Sequence, residues 1–67
     1  MKTERNELLA LLAELSDTYP DMRLGQLVIN VAQWAKGPVA SAAWDATDQE
    51  MIEAAKANIL RHRSGKG

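Results

Sequence analysis

The chain has 67 residues, eight Lys or Arg against nine Asp or Glu, a formal charge of −1, no cysteine and one histidine. That length holds one domain, 1–67, with a small core, since a chain of roughly 60 residues buries only about 60% of its unfolded surface. Disulfides, thiolate metal sites and a histidine-rich metal site within one chain are excluded, and the near-neutral charge gives no global field for nucleic acid or acidic membranes.

The opening MKTERNELLALLAEL mixes acids among its leucines, which does not fit a secretory signal. No apolar run approaches the roughly 18 residues that span a bilayer, so the expectation is a cytoplasmic protein with no membrane segment. The first helix is predicted over about 4–17, with Thr3 as its N-cap. At about 100° per residue, Leu8, Leu11, Leu12, Leu15 and Tyr19 share one face, with Asn6, Glu7, Glu14 and Asp17 opposite. Pro20 stops the helix, because the residue before a proline avoids the α region.

The second helix is predicted over 22–36, with Asp21 as N-cap and Arg23 in the first turn. Gly37 then supplies a left-handed position and Pro38 forbids continuation. Residues 38–46 read as a short bridge around Trp44, either extended or one loose helical turn. The third helix, over 48–63, has the clearest start: Thr47 and Glu50 match a capping box. Met51, Ile52, Ala55 and Ile59 form its apolar stripe, extended by His62, and 64–67 is expected to be a frayed tail. The fold class is all-α: a small three-helix domain.

On a helical wheel the second helix divides unevenly. Leu24, Leu27, Val28, Ile29, Val31, Ala32, Trp34 and Ala35 occupy roughly 220°, whereas an ordinary surface helix has an apolar stripe little wider than about 100°. A second copy of the chain is the simplest cover, which predicts a homo-oligomer, a dimer by preference, with Leu24, Leu27, Val28, Val31 and Trp34 at its interface.

Arg23, Gln26, Asn30 and Gln33 fall on the remaining arc of about 80°. Three roles are open to this line: a solvent-facing edge, a register-fixing amide pair across a symmetry axis, or a recognition site. Gly25 lies in the same turn, where it costs up to about 1 kcal/mol against alanine, and it suits a close approach of another backbone or ligand. Arg23, Gly25, Gln26 and Asn30 are therefore the candidate partner- or ligand-binding residues, together with Trp44.

The run Pro20, Asp21, x, Arg23, x, Gly25, Gln26, Leu27, x, x, Asn30 resembles a P-D-x-R-x-G-Q-L-x-x-N segment of small uncharacterised bacterial and phage proteins. Trp44, Asp45 and the acidic start Asp48, Gln49, Glu50 resemble the aromatic-acidic patch that follows it there. The resemblance covers about residues 17–57 and implies no catalytic residues, because that family carries no established activity.

Nothing assembles a nucleophile, a base and an orienting group, so no catalytic residue, metal or cofactor is expected. His62 sits beside Arg61 and Arg63, where a helix-end role is the ordinary one. Asp45, Thr47 and Gln49 have the spacing of calcium-loop ligands, but Glu50 stands where that loop needs glycine. A recognition helix starting with Asp48, Glu50 and Glu53 would repel phosphate, and Arg61, Arg63 and Lys66 offer one or two contacts at most. The expected function is a non-enzymatic interaction or regulatory module acting as a homo-oligomer. The alternative is a small-ligand or nucleotide-binding protein with an anion site at the start of the second helix, and the third reading is a DNA-binding regulator.

Overall fold

Four helices follow one another along the chain: α1 (Lys2–Thr18), α2 (Leu24–Lys36), α3 (Ala42–Asp45) and α4 (Asp48–Gly65). They are seen in a computed structural model that describes residues 2–65, with side chains from 3 to 63. Among the described residues there is no strand, and no helix is long and apolar enough to cross a membrane. The all-α class holds, with the bridge resolved into a turn followed by the short α3.

The three long helices run up, down and up. Arg5 pairs with Asp48, Glu7 with Lys56 and Glu14 with Arg63, so partners ascend together and α1 and α4 are parallel. Lys36 at the end of α2 meets Glu50 at the start of α4, which sets α2 antiparallel to both. Glu7 and Glu14 are thus not on the far side of α1 but on the rim of its contact with α4. All four pairs are largely solvated, so each is worth at most about 1 kcal/mol.

Leu8 and Leu15 from α1, Leu27, Val31 and Ala32 from α2, Ala42 from α3 and Met51, Ile52 and Ala55 from α4 form the buried core. Among the described residues no polar side chain is buried with them. Leu11, Leu12, Tyr19 and Ile59 pack around it, in agreement with the predicted stripes. His62 does not join the α4 stripe. It is exposed, and its ring meets the edge of Tyr19 at 5.8 Å between centroids. The Tyr19 hydroxyl donates to Asn58 Oδ1 at 3.1 Å, tying the turn after α1 to α4.

The helix ends show where local chemistry decides. Thr3 lies inside α1, which begins at Lys2, rather than capping it. At the next start, the Met22 N–H donates to the Tyr19 carbonyl at 3.0 Å, which closes a turn with Pro20 in its second position. Proline's fixed φ suits that position. Asp21 is committed to this turn and does not cap α2. The N-cap is Arg23, with extended backbone (φ −69°, ψ 149°) and no side-chain bond, and helical residues begin only at Leu24. The capping box of α4 forms as expected. Glu50 N–H donates to Thr47 Oγ1 at 3.1 Å and Thr47 N–H donates to Glu50 Oε1 at 3.0 Å. Gly37 ends α2 at φ 102°, the left-handed range that suits glycine, and its N–H donates to Gln33 O. Of the tail expected at 64–67, Ser64 and Gly65 continue α4, and Lys66 and Gly67 lie outside the described residues.

Candidate functional site

The broad apolar arc of α2 is largely consumed inside its own chain. Leu27 is 1% exposed and Val31 0%, so neither is available to an oligomer interface, and Val28 packs half-buried against the core. The missing cover is α3, whose buried Ala42 joins buried Ala32 of α2 in the core; small side chains there let the two backbones approach. What remains outside on α2 is Leu24 (63% exposed), Ile29 and Trp34 (39%). These three lie five residues apart and step round the helix by about 140° each time, so they do not make one face.

The line of polar side chains lies opposite the buried side of α2. Arg23 and Gln26 are exposed, while Asn30 and Gln33 are half-buried. The Asn30 amide folds back to donate to Met22 Sδ at 3.4 Å, so its nearest partner is its own chain. Around Gly25 the backbone is open: an added Cβ would meet nothing within 4 Å, and no part of this chain explains the glycine by close approach. Gln26 joins Thr18, Tyr19, Pro20, Asp21 and Met22 around an open cleft of about 410 Å³. Its one charged lining residue is the acid Asp21, and Arg23 does not line it. An anion held between Arg23 and the start of α2 therefore finds no enclosing wall there.

Trp44 stands apart from these. It lies in the single turn of α3 and is 90% exposed, although backbone bonds tie the turn down. Val39 N–H donates to Gly37 O at 2.8 Å, Ala42 N–H to Val39 O at 3.1 Å and Trp44 N–H to Ser41 O at 2.9 Å. The helical bond from Ala46 N–H to Ala42 O follows at 2.9 Å. These bonds, though not one at every residue, hold the turn that presents the indole. Val39, 48% exposed in the preceding turn, and Trp34, near the end of α2, belong to the same end of the molecule.

The acids that follow Trp44 are only partly answered. Residues 45–53 contain Asp45, Asp48, Glu50 and Glu53 and no Lys or Arg. Asp48 and Glu50 are answered by Arg5 and Lys36. Asp45 accepts from the Ser41 hydroxyl at 3.0 Å and Glu53 from the Gln49 amide at 3.0 Å, and among the described residues neither has a cation partner. The Thr47 N–H, followed by the Lys36 ammonium, holds the Glu50 carboxyl below its ordinary value.

Of the sequence candidates, the structure groups Trp34 and Trp44 at one end and leaves Arg23, Gly25 and Gln26 on an open edge. Val39 was not singled out by sequence, since a valine after proline reads only as bridge. Its place between a left-handed glycine and a tryptophan-bearing turn is the available signal. No protein family, curated protein or solved structure matches this chain.

Proposed function

We propose that this protein is a non-enzymatic interaction module whose working surface is the α2–α3 end, with Trp44 as its anchor. The observation that carries the reading is the 90% exposure of an indole on a hydrogen-bonded helical turn. Leaving so large an apolar side chain in water forgoes a stabilisation of about 1.5–3 kcal/mol that burying a large apolar side chain brings. Tryptophan is also the residue type most enriched among interface anchors, where a rigid ring gives much contact area for little lost freedom. The turn bonds from Gly37 to Ala46 support the same reading, because an anchor held in place loses less entropy on docking.

A photo-crosslinking amino acid at position 44 tests it in the native host, with the same group at exposed Ala10 of α1 as control. The expected result is a discrete adduct from position 44 alone, its mass reporting either a different protein or a second copy of this chain. Adducts of equal yield from both positions, or none from position 44, would remove the reading. Trp44→Ala should leave the melting temperature within the small range of ordinary surface changes, about 0.5 kcal/mol, while abolishing the same contact.

A further inference from the structure

The tryptophan-bearing end also carries information about what it would hold. We infer that it docks a short cationic, amphipathic segment of another protein, an arginine or lysine lying over the Trp44 indole and against the Asp45 carboxylate. The inference rests on the reading of this end as the working surface, and it adds the partner's chemistry and size.

Charge argues first. Asp45 follows Trp44 directly and has no cation partner among the described residues, and the stretch through Glu53 brings three more acids and no base. Arg5 and Lys36 answer Asp48 and Glu50, which leaves Asp45 and Glu53 without a cation partner among the described residues. An exposed indole next in sequence to a carboxylate that holds a hydroxyl but no cation offers an incoming cation both a ring face and a counter-charge, and tryptophan is the strongest ring for that contact. Arginine fits better than lysine, because its planar group stacks on the ring while its fork meets the carboxylate.

Size argues second, and against a second copy. An aromatic side chain presents about 150–250 Å², so Trp44, even with the exposed parts of Trp34 and Val39 added in full, offers no more than on the order of 400 Å². Two such patches face to face would bury about 800 Å², short of the roughly 1,000 Å² expected of a stable interface. A two-fold pairing would also bring two copies of Asp45 towards each other, and like charges in apposition oppose association. A short segment meets neither objection.

The test uses the full chain and three fluorescent helical peptides of equal length. All carry leucine at helical spacing, with arginine, glutamine or glutamate at the remaining positions. Anisotropy titration should give the arginine peptide about tenfold tighter binding than the glutamine peptide, with the glutamate peptide weakest, and that advantage should shrink as salt is raised. Trp44→Ala should remove binding of the arginine peptide, and Asp45→Asn should weaken it several-fold, both variants keeping the wild-type helical spectrum. Equal, Trp44-dependent binding of the arginine and glutamine peptides would overturn the cationic partner and leave the working surface standing. Binding that ignores Trp44, or no binding by any peptide, overturns the inference, as does sedimentation at twice the chain mass that reverts to a monomer in Trp44→Ala.

Discussion

The helix that starts at Asp48 and the helix that starts at Leu24 are entered in opposite ways. At α4 the chain supplies its own stop and start: Thr47 and Glu50 bond each other's amides, and Asp48 and Glu50 put negative charge at the positive end of the helix. At α2 the N-cap is Arg23, which offers no acceptor, and no acid lies in the first turn. That start is held from further in, by Leu27 and Val31 in the core and by the Tyr19–Met22 turn behind it. A helix can therefore begin by local bonding or by being pulled into place by packing, and the two beginnings respond to different mutations.

The largest effect should come from the packed start. Leu27→Ala removes a fully buried side chain and should cost about 2–5 kcal/mol. Total stability for a domain of this length is about 3–10 kcal/mol, so denaturant titration should show a chain close to unfolding at room temperature. A loss under about 1 kcal/mol would mean that α2 is not held by its core face.

The bonded start should yield less. Thr47→Ala should cost about 1 kcal/mol, seen as a melting temperature lower by roughly 4–8 °C. The same cap has an acid limb. The Glu50 carboxyl lies below its ordinary value in the folded chain, chiefly through the Thr47 N–H. Its contribution is therefore complete above the unfolded value of about 4.3 and is lost as pH falls through the lower folded value. Melting temperatures followed from about pH 5 to pH 3 should fall less steeply in Glu50→Gln than in the wild type.

The uncapped start can be improved. Arg23 already has the extended backbone of an N-cap, so Arg23→Ser should add the missing acceptor and raise stability by up to about 1 kcal/mol, read by thermal melting. Smallest of all is Asp21→Ala. Because Asp21 sits in the turn and caps nothing, its removal should shift stability by less than about 0.5 kcal/mol, and a larger loss would restore it as a cap.

This contrast also explains how much of the molecule was legible in the sequence. Features set by neighbours in the chain were readable: the Thr47 and Glu50 box, the Gly37 and Pro38 stop, and the apolar stripes of α1 and α4. Features set by competition between two local choices were not. Asp21 suits both a cap and a turn, and proline at position 20 with tyrosine before it gives the turn. The width of the α2 arc was readable, but the part of it that α3 covers was not, because the burial of Ala42 and Ala32 depends on how a nine-residue bridge folds back. For the candidate site, Trp44 could be named from residue type, but its exposure could not be read from the sequence. The isolation of Gly25 was not, since a glycine needed for close approach and one facing open space look the same in sequence.

The parallel arrangement of α1 and α4 has a consequence for how the protein is made. The ion pairs that join these helices link residues 43 and 49 positions apart, so α1 is synthesised well before the α4 it packs against. A helix of this length forms within about a microsecond, whereas a ribosome adds roughly 5–20 residues per second. Leu8 and Leu15 therefore travel for seconds without α4, the helix against which α1 makes most of its contact. For those seconds the nascent chain offers the α4-facing side of α1 to whatever holds unfinished proteins, and completion of this core waits on the arrival of α4.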